Sequence, residues 1–436
     1  MMQQKSKHQG TWVVLASMLL VLVLGSVHAF SVFLEPMERH FQVSRSQVSL
    51  TYSFTLLTLT VGVLFGHRLY GLLRPAGFAI AVCTLALIGA LIAASANHIA
   101  TVWFGYSLLF GFANGLGYGF ALQISAQSNL DNKGFVMGLV TASYALGAVL
   151  SPWPLAFALS TFGLVGAMLS LALVLLLIMP IAGGLLDLAQ AELHVSASNH
   201  QNSESVDKQA VFFFWLAFGL AVMAGLMATG HATAIAQQAG LDKRLMLIAP
   251  SVLALFSMAG SLLGGWIADR ISFRVTLTLL PLLSAVSLLL LSLFLIDSSV
   301  LFGLGVIGFA YGAIISVYPA AIATRFGVVE GVRIYGKVFI AWGIAGFLGP
   351  WVAGKLYDIH ADYRPALIVA SIAGICSALC IGSIKPKSDA KFDNLLVPKS
   401  NTIPCKTKKT RKPRRMVNTN KPIKTTLSSC CPTDRA

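Results

Sequence analysis

Long apolar stretches recur along the chain, and short polar or charged segments separate them. Each stretch has about 20 residues, which as an α-helix spans a hydrocarbon core about 30 Å thick. The stretches lack the alternation of apolar and polar positions that is typical of membrane barrel strands. We count twelve of them, centred on residues 12–33, 46–66, 75–96, 99–124, 134–153, 160–183, 211–234, 244–267, 274–296, 299–322, 334–353 and 364–384.

The composition agrees with this pattern. Hydrophobic residues make up 56% of the 436-residue chain and charged residues only 11%, whereas soluble domains have about 45–50% apolar and about 25% charged residues. Inside a bilayer every backbone N–H and C=O group needs an internal partner, so continuous apolar stretches must be helices. We therefore expect an all-α membrane protein with twelve transmembrane helices.

The second six stretches repeat the first six. The fourth contains GFANG at 111–115 and the tenth GFAYG at 308–312; the fifth ends with GAVLSPW at 147–153 and the eleventh with GFLGPW at 346–351. Both pairs share an offset of 197 to 198 residues, which indicates a duplication. Parallel repeats of this kind place a binding site near the bilayer midplane between the halves. We predict four regions: a six-helix bundle at 1–184, a linker at 185–210, a second six-helix bundle at 211–384 and a basic, disordered tail at 385–436.

The basic residues predict the orientation of the chain. Before the tail, eleven Lys and Arg residues lie on the side of the N-terminus and six on the other side, and the tail adds 14 to the larger group. Cytoplasmic segments carry the excess of such residues, so both termini should be cytoplasmic. Most of the net charge of +15 lies in the tail, which is typical of a segment beside anionic lipid. We expect the bilayer and no nucleic acid as partner, and the compact loops suggest a bacterial inner membrane.

The segment GGWIADRISFR at 264–274 contains a recognisable motif. It resembles the signature Gly-x-x-x-Asp-Arg-x-Gly-x-Arg of the major facilitator superfamily at Gly265, Asp269, Arg270 and Arg274, with Ser272 where the second Gly is usual. The resemblance implies a cytoplasmic latch that biases one access state of the transporter. In the first half, GHRLYGLLR at 66–74 has tyrosine where the acid belongs, so the resemblance assigns the latch to Asp269.

Two further segments resemble one branch of that family. GSVHAFSVFLEPMERHFQVSRSQVSLTYS at 25–53 and GPWVAGKLYD at 349–358 are similar to oxalate/formate antiporters and monocarboxylate transporters. The oxalate-type members use a basic residue on the eighth span and another on the eleventh to neutralise a carboxylate substrate. The matching positions here are Ser261 and Trp342, so the resemblance implies a carboxylate substrate but does not support oxalate.

Two histidines within the spans are candidates for the transport pathway. A shift of 203 residues superposes His28 of the first span on His231 of the seventh. Because imidazole titrates near neutrality, each could bind a carboxylate when protonated or carry a coupling proton. The alternative is a local hydrogen bond near the membrane interface.

Polar aromatic and amide side chains form a second group of candidates. Tyr and Trp combine an apolar body with one hydrogen-bonding tip, which suits a small amphiphilic anion. We expect part of this group to line the cavity and the rest to lie in helix contacts. Two prolines could bend the fifth and eleventh helices, because proline removes a hydrogen bond of the helix. The pathway candidates are Tyr52, Asn114, Tyr118, Gln123, Tyr144, Tyr311, Tyr318 and Trp342, and the bend candidates are Pro152 and Pro350.

The sequence gives no sign of enzyme chemistry. It has no Gly-x-x-x-x-Gly-Lys phosphate loop, and no His, Cys or carboxylate group has metal-ligand spacing. We therefore expect no cofactor and no metal, and a monomeric secondary transporter of small organic anions, in particular monocarboxylates, coupled to protons or working by exchange. A proton-driven drug exporter is the alternative, because Gly147, Ser151 and Pro152 approximate its fifth-span pattern. A non-transporting membrane sensor is another.

Overall fold

The protein is described by a computed structural model that covers residues 2–128, 133–193, 207–268, 270–294 and 299–384. The predicted tail and residues 194–206 of the predicted linker lie outside these residues. Helix α1 has three consecutive parts: an α-helical part Met2–Leu24, a 3₁₀-helical part Gly25–Phe33 and a second α-helical part Leu34–Phe41. Helix α4 also has three parts, of which Ile99–Val102 and Gly111–Ala126 are α-helical and Trp103–Phe110 is π-helical. The others are α2 Arg45–Gly66, α3 Pro75–Ala94, α5 Lys133–Leu150, α6 Pro152–Leu188, α7 Lys208–Gln238, α8 Lys243–Ala268, α9 Phe273–Leu293, α10 Ser299–Phe326, α11 Val328–His360 and α12 Arg364–Ser383.

The all-α membrane fold predicted from the sequence is confirmed. Among the described residues, eleven helical stretches are long and apolar enough to cross a bilayer. One of them, Val136–Leu188, has 53 residues and would be about 80 Å long as a single helix, more than twice the thickness of the hydrocarbon core. It is interrupted at Gly163, whose φ of 68° and ψ of −167° are accessible essentially only to glycine. This stretch therefore accounts for two of the twelve predicted crossings.

The predicted boundary between the fifth and sixth crossings is wrong. The sequence pattern places a break between residues 153 and 160, but helix α6 begins at Pro152 and continues through these residues to Gly163. Proline is tolerated in the first turn of a helix because no intrahelical partner is lost there. After Gly163 the chain runs back along α3, where the Thr84 hydroxyl lies 3.7 Å from the sulfur of Met179.

The helices also extend into the predicted linker. Residues 185–188 belong to α6 and residues 208–210 to α7. The Asp207 side chain accepts a hydrogen bond of 3.1 Å from the Ala210 N–H, and such a side-chain cap fixes the start of a helix. Four residues at the start of the predicted linker and three at its end are therefore helical.

Close helix contacts repeat in the two halves with the offset of the sequence repeat. A β-carbon added at Gly115 of α4 would lie 2.0 Å from the carbonyl oxygen of Leu59 in α2. At Gly312 of α10 it would lie 1.9 Å from the carbonyl oxygen of Ser257 in α8. Small residues allow such backbone contact, which replaces the hydrophobic effect as a source of helix association in lipid. The α4–α2 packing of the first half thus has an α10–α8 counterpart in the second.

The start of α2 contacts the second half of the chain. Ser44 and Gln47 form a capping box at this helix end. The Asp358 carboxylate of α11 also accepts hydrogen bonds from the Arg45 N–H at 2.9 Å and from the Ser46 N–H at 3.0 Å. A carboxylate is favourable at a helix N-terminus because unpaired N–H groups and the helix dipole converge there. Asp358 therefore ties the first half to the second at this end.

Side-chain contacts strengthen this connection. The buried Arg45 guanidinium pairs with Glu38 of α1, donates a hydrogen bond of 2.6 Å to the Tyr363 hydroxyl and lies 4.5 Å from the centre of the Tyr357 ring. The hydroxyl groups of Ser31 in α1 and Thr233 in α7 lie 3.0 Å apart. We call these contacts, together with those of Asp358, the α1–α2 seal. The predicted orientation places this seal on the outer face of the membrane.

Gly115→Ala should destabilise the protein by about 1–3 kcal/mol, because the new methyl group collides with backbone and forces α4 away from α2. The unfolding midpoint in detergent measures this effect. Gly138→Ala is the control, since a β-carbon there meets no atom within 4 Å. Equal midpoints for the two variants would contradict the proposed role of the close contact.

Asp358→Asn should loosen the α1–α2 seal, because the neutral amide is a weaker partner for the end of α2. In a chain whose six cysteines are replaced, a cysteine at Thr229 would then react about fivefold faster with an impermeant maleimide added from the seal side.

Asp362→Asn is the matched control for this labelling. Asp362 accepts hydrogen bonds from Gln238 and Arg364, which both belong to the second half, so its loss should leave the labelling rate unchanged. If the two variants label at the same rate, Asp358 does not hold the halves together.

Candidate functional site

A cavity of about 130 Å³ lies between the two halves. Helices α1, α2, α4 and α5 of the first half and α7, α8, α10 and α11 of the second contribute its lining. The site therefore depends on both six-helix units. The lining residues are His28, Leu59, Tyr118, Thr141, Tyr144, Ala145, Ala148, Thr229, Leu253, Ala254, Ser257, Ser261, Tyr311, Ile315, Phe339 and Trp342.

Five of the ten predicted pathway residues line this cavity, namely His28, Tyr118, Tyr144, Tyr311 and Trp342. Sequence reasoning missed most of the residues from α5 and α8. The lining residues of each helix recur at intervals of three and four residues, which is the spacing of one helix face. They are residues 141, 144, 145 and 148 in α5 and residues 253, 254, 257 and 261 in α8. That periodicity is the signal that could have found them.

His28 is held by Tyr52, which lies just behind the cavity wall. Its Nδ1 atom lies 2.7 Å from the Tyr52 hydroxyl oxygen. When the neutral ring carries its proton on Nε2, Tyr52 donates this hydrogen bond, and the Nε2–H group remains to donate elsewhere. Tyr52 therefore fixes the orientation of the imidazole without lining the cavity itself.

The backbone of α1 determines that His28 faces the cavity. Residues Gly25–Phe33 form a 3₁₀ helix, and His28 is the one residue of this segment that is not fully buried. A 3₁₀ helix turns 120° per residue, whereas an α-helix turns 100°. Two residues paired by the sequence repeat can therefore point in different directions when one lies in a 3₁₀ segment and the other in an α-helix.

His231 lies apart from the cavity, although the sequence repeat pairs it with His28. Its helix α7 is α-helical throughout Lys208–Gln238. Nε2 lies 2.9 Å from the carbonyl oxygen of Pro350, and Nδ1 lies 3.0 Å from the Tyr363 hydroxyl, which also binds Arg45. These atoms place His231 beneath the α1–α2 seal.

An amide orients one aromatic side chain of the first half, and a second ring packs against that side chain. The Tyr144 hydroxyl donates a hydrogen bond of 3.0 Å to Asn114, which in turn donates one of 2.6 Å to the carbonyl oxygen of Leu24. The Tyr118 ring lies 4.8 Å from that of Tyr144, centre to centre. Asn114 therefore stays behind the wall and directs the Tyr144 hydroxyl away from the cavity. We call Tyr118 and Tyr144 the first aromatic wall.

The second half contributes a corresponding set of rings. Trp342 Nε1–H donates a hydrogen bond of 3.1 Å to the Tyr311 hydroxyl, and the Phe339 and Trp342 rings are parallel within 3°, with centres 5.6 Å apart. The Tyr311 ring fits against Gly225 of α7, where an added β-carbon would lie 2.4 Å from it. We call Phe339, Trp342 and Tyr311 the second aromatic wall.

The described residues that line the cavity include no Asp, Glu, Lys or Arg. His28 is the lining residue whose ordinary titration range falls near neutral pH. Other polar groups bond to nearby carbonyl oxygens, as in Thr229 to Gly225 and Ser261 to Gly312. The site is therefore a neutral, largely aromatic cavity with one group able to acquire charge.

The remaining predicted residues lie elsewhere. Tyr318 is buried beside Phe218, with ring centres 4.6 Å apart, and Gln123 is half-buried near the end of α4. Pro152 begins α6, whereas Pro350 lies inside the continuous helix α11.

Most of the predicted latch can be located. Gly265 lies in α8, and the Arg270 guanidinium lies 3.9 Å from the centre of the Trp266 ring. Arg274 donates a hydrogen bond of 2.6 Å to the carbonyl oxygen of Gly382 in α12. The Arg274 contact joins the start of α9 to the end of α12, both in the second half. Asp269 lies outside the described residues.

Comparison with known proteins agrees with this architecture. One solved structure, a bacterial homologue of the human lysosomal transporter Spinster in an inward-facing and unoccupied conformation, matches with a TM-score of 0.65 and 12% identity. The match covers 86% of this chain and 95% of that one. At this identity the likeness concerns the fold alone.

Two relatives align over most of their length. The uncharacterized MFS-type transporter YhjX of Escherichia coli is 26% identical over 353 residues, which are 78% of this chain and 87% of YhjX. The oxalate:formate antiporter of Oxalobacter formigenes is 20% identical over 372 residues, 83% of this chain and 88% of the antiporter.

The sequence profile of the Major Facilitator Superfamily matches residues 14–325 and 260–413, well over half of the chain. The motif resemblance and the helical architecture are in accord with this match. The chain therefore belongs to the Major Facilitator Superfamily, and it is a multi-pass membrane transporter rather than an enzyme.

Proposed function

We propose that this transporter moves small organic anions, in particular monocarboxylates, by alternating access of the cavity to the two sides of the membrane. The observation that carries the proposal is His28, the side chain among the described lining residues that can take up a proton and so pair with an anion. A carboxylate would enter together with the proton of His28, so that no net charge is buried in the membrane.

Further observations support this proposal. The oxalate:formate antiporter is named for the exchange of two carboxylates, and the alignment with it covers most of both chains. The cavity contacts both halves, as a site that is exposed to alternate sides must. Exchange of two anions of equal charge is the second form of coupling. When one carboxylate leaves the site on one side of the membrane and another replaces it on the other side, the net charge of the site is the same in both directions of the cycle.

The orientation and the latch complete the proposed cycle. With both termini in the cytoplasm, the α1–α2 seal closes the outer side, and Asp269, Arg270 and Arg274 act on the cytoplasmic side to favour one access state. One chain suffices for this cycle, because the cavity is built from a single copy. The excess of basic residues on the side of the N-terminus supports this orientation.

A proton-driven exporter of lipophilic cations is the second candidate. Aromatic faces attract cations, and rings from both halves line the cavity. The described lining offers no carboxylate to neutralise such a cation, whereas His28 can neutralise an anion. Resistance of expressing cells to lipophilic cations, without carboxylate flux, would favour this candidate.

His28→Gln should remove the pH dependence of carboxylate flux, because glutamine keeps a hydrogen bond to Tyr52 but cannot be protonated. In proteoliposomes, we expect uptake of labelled monocarboxylates by the unaltered protein to rise about tenfold when the external pH falls from 7.5 to 5.5. Uptake by His28→Gln should stay at the lower level.

The matched control is His98→Gln, an exposed histidine in the connection before α4. It should retain the pH profile of the unaltered protein. A profile that persists in His28→Gln would show that another group carries the proton, and His231→Gln would then be the next variant to measure.

A further inference from the structure

The two aromatic walls face the same small cavity from opposite halves of the chain. Asn114 holds the first wall from behind. In the second wall the Tyr311 ring lies against Gly225 and accepts a hydrogen bond from Trp342 of the same wall. The rings therefore keep their positions in the absence of a ligand. Preformed pockets with rigid aromatic walls favour ligands that match their shape, because little ordering is needed on binding.

The accessible volume of the cavity matches a ligand of about one ring. An apolar protein cavity of about 150 Å³ accommodates benzene, and the cavity here measures about 130 Å³. Aromatic rings pack in offset-stacked or edge-to-face arrangements with centres 4.5–7 Å apart. A flat ring has two faces for such contacts, whereas a saturated ring of equal size is thicker and lacks a π-face.

The polar groups of the cavity suit a single carboxylate. His28 can donate from Nε2 while Tyr52 holds Nδ1, and the Tyr311 hydroxyl, which accepts from Trp342, keeps its own proton to donate. A second carboxylate would find no Lys or Arg among the described lining residues. Its burial without a partner would be unfavourable.

We propose that the cavity is specific for a planar, one-ring aromatic monocarboxylate of the size of benzoate, with its carboxylate at His28 and its ring between the two aromatic walls. This inference rests on the proposed function and narrows its substrate class. It also assigns Gly225 as a positioning residue, because the absence of a side chain there allows the Tyr311 ring to complete the second wall.

Calorimetric binding to the purified protein at pH 6 tests the specificity. Benzoate should bind at least tenfold more tightly than cyclohexanecarboxylate, which has similar size without a flat ring, and than acetate, which has no ring. Phthalate, with its second carboxylate, should bind at least tenfold more weakly than benzoate. Equal affinity for benzoate and cyclohexanecarboxylate, or for benzoate and acetate, would overturn the proposal.

Two variants locate the ring site. Gly225→Ala should lower benzoate affinity about tenfold by displacing Tyr311. Gly219→Ala on the same helix is the control, because its added β-carbon would lie 3.3 Å from the β-carbon of Ala341 and not against Tyr311, and it should leave the affinity unchanged. Trp342→Leu should reduce the ratio of benzoate to cyclohexanecarboxylate affinity to about one. The ratio of the two affinities does not depend on the fraction of folded protein. If Trp342→Leu keeps the ratio of the unaltered protein, the second aromatic wall does not select the flat ring.

The same measurements separate this inference from the proposed function. If carboxylates bind and are transported without preference for a flat ring, the specificity is wrong and the proposed function stands. If trimethylanilinium, a ring of opposite charge, binds while no carboxylate does, both are wrong and the cation exporter is favoured.

Discussion

The absence of water as a hydrogen-bond partner inside the bilayer determines most of this structure. Backbone groups satisfy one another within helices, and the polar side chains of the spans must then find partners in the protein. In lipid the helices associate through close packing, and Gly115 and Gly312 provide it at equivalent places in the two halves. The polar contacts between the halves described above gather in the α1–α2 seal, and the ring-lined cavity lies apart from it.

The neutrality of the cavity follows from the same requirement. His28 is paired with Tyr52 and Tyr144 with Asn114, both behind the wall, whereas Trp342 and Tyr311 pair with each other within it. A fixed cation would need a permanent partner in the absence of substrate, because an unpaired buried charge is costly. In the proposed function a titratable imidazole would avoid this cost, because it would be neutral in the empty site and charged when an anion enters with its proton. Under that proposal the charge of the site would change together with the binding of its substrate.

Much of the fold could be predicted from the sequence, but the facing of individual side chains could not. Span lengths, the repeat and the superfamily motif identified the architecture, because they depend on composition and spacing. The turn at Gly163 was missed because proline at the start of a helix resembles a helix break. Five cavity residues could be identified because their side chains carry polar or aromatic groups. Thr141 and Ala148 can be identified only from their position on one face of α5. His231 misled because the repeat records sequence offset and not local backbone geometry.

The nine-residue 3₁₀ segment of α1 has a consequence for movement. Such runs are seldom longer than three or four residues, so this segment is held by its surroundings. Conversion of nine residues to α-helix would shorten the segment by about 4.5 Å and twist one end relative to the other by about 180°. His28 and Ser31 both belong to it, so one screw-like change of this backbone would rotate the imidazole in the cavity and the Ser31 hydroxyl beside Thr233 together.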